Sequence, residues 1–129
     1  MAINFNKDSV INLKPMDTAA VNPMIKRMLT QNESVVAAFK TIRDQLVFTN
    51  KRIISVDSQG ITGKRTSLAS LPYKTIQYYS IQTPGFIELV PDAELEISFA
   101  NGATTKFEFK GNVDIAALDR TISNFALIP

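Results

Sequence analysis

Residues 43–64 read Arg-Asp-Gln-Leu-Val-Phe-Thr-Asn-Lys-Arg-Ile-Ile-Ser-Val-Asp-Ser-Gln-Gly-Ile-Thr-Gly-Lys. Two short runs rich in Val, Ile and Phe flank the polar pair Asn50-Lys51, and the second ends in the breaker cluster Asp57-Ser58-Gln59-Gly60. β-Branched and aromatic residues suit a pleated, half-buried surface, and a two-residue polar break turns the chain back on itself. The stretch is a β-hairpin followed by a turn, and it sets a β architecture. Pairing through Asn50-Lys51 places Phe48 opposite Ile53. Lys51 stands where such turns favour Gly, so closing this one calls for hydrogen bonds from the Thr49 or Asn50 side chains to nearby backbone.

The same signals recur on both sides of the hairpin. They predict strands at about 35–42, 45–49, 52–57, 63–70, 75–83, 93–99 and 104–110, each bounded by turn residues. In the last pair, Leu95, Ile97, Phe99, Phe107 and Phe109 all occupy odd positions. A two-residue turn at Asn101-Gly102 would pair odd with even and send one apolar set to solvent. A three-residue loop, Ala100-Asn101-Gly102 with Gly left-handed, keeps the sets together and puts Glu96 opposite Lys106. In the fifth run Ile76 and Tyr78 keep one register while Tyr79 and Ile81 keep the other, which is read as a β-bulge near Tyr78-Tyr79 or as two partly covered faces.

Helices close the two ends. Asn22-Pro23 is a helix start, followed by Met24, Ile25, Met28 and Leu29 at helical spacing. A helix this short must be docked to persist. Asn112 or Asp114 can cap a C-terminal helix whose buried stripe is Ile115, Leu118, Ile122 and Phe125. Residues 1–16 show no period and read as an arm.

At 129 residues the chain is expected to form one domain with a sizeable core. Fourteen basic against 12 acidic residues give +2, too little charge to imply nucleic acid. No run approaches 18 apolar residues and no secretory leader is visible, so the cytoplasm is the expected compartment. There is no Cys and no His. Disulfides, thiolate metal sites, the commonest general base and the commonest metal ligand are all missing. Asp92, Glu94 and Glu96 alternate along one strand face as solvated residues do, and Gly60 and Gly63 lack the following helix of a phosphate loop. The inventory points away from an enzyme, a cofactor or a metal.

Seven antiparallel strands followed by one amphipathic helix is the order of a pleckstrin-homology-like sandwich or barrel, in which the helix caps one open end. The detail agrees. Arg43-Asp44, Phe48-Thr49-Asn50-Lys51-Arg52, Val56-Asp57, Gln59-Gly60-Ile61-Thr62-Gly63-Lys64, Leu71-Pro72-Tyr73-Lys74-Thr75-Ile76 and Asp92-Ala93-Glu94-Leu95 resemble the bacterial pleckstrin-homology domain family over about residues 33–125. The departure lies at residues 82–88, Gln-Thr-Pro-Gly-Phe-Ile-Glu, where the family's acidic loop is altered. The expected division is an N-terminal arm and short helix, residues 1–30, and a pleckstrin-homology-like domain, residues 31–129.

Two kinds of surface are candidates for function. Lys40, Arg43, Lys64, Arg65 and Lys74 are basic residues near strand ends, and the first and third loops should lie at one end of the sandwich. Arg43, Lys64 and Arg65 could then converge on an anion or a phospholipid headgroup, giving weak contact with an anionic membrane. The plain alternative is solvated loop cations. The second candidate is self-association. Strands one to three are apolar on both faces, with Val36, Ile42, Val47, Ile54 and Val56 on the second, whereas a sheet with one wet face should alternate. The N-terminal helix, the apolar tail or another subunit must cover that face. Edge strands add unpaired backbone groups. The resemblance implies ring-forming or otherwise oligomeric modules, so the expectation is a non-enzymatic homo-oligomeric interaction module, with an anion or lipid adaptor as the alternative.

Overall fold

The computed structural model describes residues 9–59, 65–82, 89–91 and 93–127. In chain order these form β1 (Ser9–Pro15), a 3-10 turn (Thr18–Ala20), α1 (Pro23–Met28), β2 (Val35–Lys40), β3 (Gln45–Thr49), β4 (Arg52–Gln59) and β5 (Arg65–Pro72). A second 3-10 turn (Tyr73–Thr75) leads to β6 (Ile76–Gln82), β7 (Leu89–Pro91), β8 (Glu94–Phe99), β9 (Thr104–Phe109), β10 (Asn112–Asp114) and α2 (Ile115–Ala126). Eight strands make one sheet in the order β5-β4-β3-β2-β1-β9-β8-β6, while β7 and β10 pair separately. The fold is mainly β with a C-terminal helix. The seven expected strands are β2 to β6, β8 and β9.

The hairpin registers follow the side-chain pattern. Phe48 lies opposite Ile53. Leu95 faces Phe107 and Glu96 faces Lys106, so the β8–β9 connection has three residues. Gly102 adopts φ +89°, the left-handed conformation that glycine alone takes at no steric cost, and its amide donates to Phe99 O at 2.9 Å. The β6 irregularity falls between Ile76 and Tyr78, which makes Gln77 the extra residue.

Two expectations are corrected. Residues 1–16 are not simply an arm, because Ser9–Pro15 is a strand inside the sheet, parallel to β9 and antiparallel to β2. A strand in that slot satisfies the facing backbone groups of both neighbours. Its alternation is hard to read because its register against β9 shifts between Val10 and Leu13. The all-antiparallel sandwich therefore contains one parallel seam, and the N-terminal segment is built into the sheet. The second correction concerns β2, whose register against β3 shifts between Val35 and Ala37. Val36 is the bulged residue, so Val35 falls on the face of Ala38, and Ala37 on that of Phe39.

The main core lies within the curled sheet, where Leu13, Phe39, Phe48, Ile53, Leu95, Ile97, Phe99, Phe107, Phe109, Leu118 and Ile122 are buried together. Phe39 meets Phe48 and Phe109 edge-on, with ring centroids 5.8 and 4.8 Å apart. Asp114 caps α2 by accepting the Ala117 amide at 3.0 Å. Phe125 is only half-buried, against the Tyr73 ring.

Candidate functional site

A second, smaller core fills the other face of β2, β3 and β4, where Val21 and Ile25 pack on Ala38, Val47, Ile54 and Val56, all buried. The cover is the N-terminal segment of the same chain. Asn22 caps α1 by accepting the Met24 amide at 2.8 Å, and its own amide donates to Gln45 Oε1 at 2.9 Å, which ties the helix start to β3. Of the residues expected at a subunit interface, Val47, Ile54 and Val56 are therefore interior. Val36 is 43% exposed and Ile42 fully exposed, at 102%. The shift in β2 register and the packing of α1 account for the apolar residues that are buried on the second face.

The Asn50-Lys51 turn is held as its sequence requires. Among the described residues only Asn32 combines a side chain with positive φ, so Asn50 and Lys51 do not adopt the left-handed hairpin conformation. Thr49 Oγ1 closes the turn instead, accepting the Lys51 and Arg52 amides at 3.0 Å each. Asn50 accepts the Ser34 amide at 2.9 Å and donates to Asn32 O at 2.8 Å. Lys51 Nζ donates to Gln31 O at 2.7 Å. Beneath them lies the Glu33 carboxylate, fully buried, bonded to Arg52, to the Thr49 hydroxyl at 2.6 Å and to the Thr30 amide at 3.0 Å. Burial alone would raise its pKa, but the guanidinium and these donors outweigh it and hold the carboxyl at about 2. Tyr73, whose hydroxyl donates to Thr49 O at 2.8 Å, is pushed up by burial and then by the Glu33 charge. Every one of these side chains has a partner, and together they fasten residues 28–34 to the hairpin, which is a structural role.

The expected cation cluster is partly redrawn. Lys64 lies outside the described residues, as do residues 83–88 of the altered loop. Arg65 opens β5 opposite Gln59, at the same end of the sheet as the 41–44 loop. Lys74 lies in the 3-10 turn after β5, at the strand end that begins opposite Arg52, so it is remote from Arg43. The side chains brought beside Arg43 are Lys14, Lys40 and Lys110, which with Ile42 and Asp44 line a groove of about 940 Å³. Lys14 and Lys110 are not among the candidates read from sequence. Their signal is a lysine directly after a core residue at a strand end, as in Leu13-Lys14, Phe39-Lys40 and Phe109-Lys110.

The sheet has two ends, β5 and β6. From Ile76 to Gln82 β6 carries no charged residue, and from Thr66 to Leu71 β5 carries none either. Tyr78 on β6 is 55% exposed. The interior pair β8–β9 is different, with Lys106 Nζ at 3.7 Å from Glu94 and 3.9 Å from Glu96. Among the described residues no helix is long and apolar enough to cross a membrane.

Comparison with known proteins agrees with this architecture. A family model for the bacterial PH domain matches residues 4–126, which includes the N-terminal segment as well as the sheet. The uncharacterized protein YjqA of Bacillus subtilis (strain 168) is 39% identical over 112 residues, 87% of this chain and 90% of its own length. A DUF1696 family protein with a pleckstrin-homology domain from Shewanella loihica PV-4 superposes with a TM-score of 0.69 at 31% identity, covering 90% of this chain and 98% of that one. A pleckstrin homology domain from Shewanella amazonensis SB2B gives a TM-score of 0.65 at 35% identity over 88% of this chain and 90% of its own. With the hairpin, the curled sheet and the capping helix in place, and a match running almost end to end, the chain belongs to the bacterial PH domain family.

Proposed function

We propose that this chain is a non-enzymatic interaction module that associates with copies of itself through the edges of its sheet. One observation supports the reading: among the described residues the two edge strands carry no charge from Thr66 to Leu71 on β5 or from Ile76 to Gln82 on β6. Edges of monomeric proteins are blunted by inward or flanking charges, prolines or bulges, because a row of unpaired amides and carbonyls recruits another strand. Here the bulge in β6 is confined to its first residues, and Tyr78 to Gln82 run in regular register with no charge. On β5 the only proline, Pro72, is the last residue. A contact of β5 on one copy with β6 on the next is heterologous, and with closing geometry it gives a ring.

The apolar second face plays no part in this reading, since α1 covers it. The test is solution mass by light scattering, for the parent chain and for variants carrying Tyr78→Lys and Ser80→Lys on β6 or Ser67→Lys on β5. The parent is expected at a multiple of 14.3 kDa, and each charged edge should shift it towards one copy without lowering the melting temperature. A mass near 14.3 kDa for the parent at every accessible concentration removes the proposal.

A further inference from the structure

Where β5 ends beside the β8–β9 loop, far from the Arg43 groove, the curled sheet leaves a cleft of about 310 Å³. Its floor is apolar: Leu71 and Phe99, both buried in the main core, with Pro72, Ala100 and Ala103. An apolar cavity of about 150 Å³ holds one benzene molecule, so this cleft has room for one ring and short substituents. Its walls are fixed in advance. The Ala100 amide donates to Thr75 O at 3.0 Å, joining the loop to the 3-10 turn, and the Phe99 amide donates to Ala103 O at 2.8 Å.

Three polar side chains complete the lining. Asn101 Oδ1 accepts the Ala103 amide at 3.0 Å, while its Nδ2 has no partner among the described residues. Ser70 Oγ accepts from Arg52 Nη1 at 3.0 Å, which leaves its own hydrogen to donate. Thr75 Oγ1 donates to Pro72 O at 2.7 Å and so has only acceptor capacity left. Among the described residues no charged side chain lines the cleft, and the Arg52 charge behind Ser70 is already paired with Glu33. An ion entering here would lose hydration without meeting a counter-charge, so the lining selects an uncharged guest. Two donors and one acceptor match a carboxamide, which offers both kinds of group.

A second observation lies behind Ala103. Thr105 is 2% exposed, and its hydroxyl has no hydrogen-bond partner among the described residues. Thr105 pairs with Ile97, one rung inward of Phe99 and Ala103 and on the same face of the sheet, about 7 Å further along the strand. Along that strand only the methyl group of Ala103 separates the hydroxyl from the cleft. Buried hydroxyls are ordinarily bonded, and one that is not is costly to the fold.

We infer that this cleft binds a small, uncharged aromatic amide. The ring lies on Phe99 and Leu71, the carboxamide meets Asn101 and Ser70, and a hydroxyl at the far end of the ring meets Thr105. The site is independent of the sheet-edge association proposed above.

The test follows backbone amide resonances of the full chain by NMR during titration with 3-(4-hydroxyphenyl)propanamide. Shifts confined to residues 70–75 and 97–105, with a Kd on the order of 1 mM, are expected for a guest of this size. 3-Phenylpropanamide, which lacks the hydroxyl, should bind about threefold to tenfold more weakly. 3-(4-Hydroxyphenyl)propanoate, whose charge is unmatched, should lose at least as much. Thr105→Val should erase the difference between the two amides and leave the melting temperature unchanged or raised, since it removes a hydroxyl that bonds nothing. Asn101→Asp keeps the acceptor for the Ala103 amide but loses both Nδ2 donors, and should weaken the amides. Ala103→Leu fills the cleft and should abolish binding. The inference is overturned if the hydroxyphenyl amide shifts none of these resonances, if its advantage survives Thr105→Val, or if the carboxylate binds as tightly as the amide.

Discussion

Glu33 and Arg52 face each other as a two-point pair, with Nε 3.0 Å from Oε2 and Nη2 3.1 Å from Oε1, and the same guanidinium reaches Met28 O at 3.2 Å. The carboxylate belongs to the linker between α1 and β2, and the guanidinium to the first residue of β4. One ion pair therefore joins the N-terminal cover to the hairpin beneath it. Removing one partner of a buried pair strands the other, which costs more than the pair contributes.

Acidification should reveal this pair. A carboxyl held at about 2 against an ordinary 4.5 stabilises the fold by about 3 kcal/mol wherever it is ionised in both states. Because the folded value is depressed, that stability is complete above about pH 4.5 and is lost as the pH falls towards 2. Urea melts of the parent and of Glu33→Gln should differ by about 3 kcal/mol at pH 7, and the difference should shrink between pH 4.5 and 2. A constant difference would place the acid sensitivity elsewhere.

The turn makes a separate prediction. Asn50 supports residues 32–34 from the surface, whereas Thr49 is buried and serves Lys51, Arg52 and Glu33. Asn50→Ala should cost about 1–2 kcal/mol, as exposed side-chain hydrogen bonds do, and Thr49→Val about 2–4 kcal/mol, because buried partners are left unsatisfied. Equal losses in chemical denaturation would mean that Thr49 does not organise the cluster.

Two lysine substitutions separate the covered from the open part of the second face. Ile54→Lys buries a charge beneath α1 and should prevent folding or leave an expanded state. Val36→Lys, at the exposed bulge, should stay within about 0.5 kcal/mol of the parent. Circular dichroism and thermal melts decide it, and a folded, stable Ile54→Lys would show that α1 is not the cover.

In the main core, Phe107→Ala should cost about 3–5 kcal/mol, since the ring is fully buried. Phe125→Ala should cost roughly half as much. The C-terminal stripe predicts Phe125 to be interior, yet its ring rests half-open on Tyr73, with centroids 5.3 Å apart. Matched denaturation curves test the ratio.

These contrasts show which parts of the molecule local sequence reveals. The β8–β9 loop is readable to the residue because all five core side chains have odd numbers, and only one loop length preserves that parity. Asn22-Pro23 and Asp114 are readable because caps act on amides two or three positions away. β1 is not, because nothing between Ser9 and Pro15 indicates a parallel neighbour near residue 106. The phase of β2 is hidden for a related reason, since Val36 is itself apolar and so masks the bulge. The lysines beside Arg43 are out of reach altogether: residues 14, 40 and 110 come to one groove only through long-range register. Of the basic cluster expected from loops, Arg43 lines the groove that forms, and Lys64 lies outside the described residues.

The parallel seam between β1 and β9 also orders events in time. The slot that β1 fills has β2 as one wall and β9 as the other, and Ser9 lies opposite Lys106. Until the β8–β9 hairpin exists, that slot has a single side. β1 can meet β2 from nearby in sequence, but its pairing with β9 has to close a loop that spans most of the chain, at a higher entropic cost than any hairpin. The hairpins can form early, from neighbours in sequence. Complete seating of β1, between both neighbours, is therefore expected to follow formation of the β8–β9 hairpin.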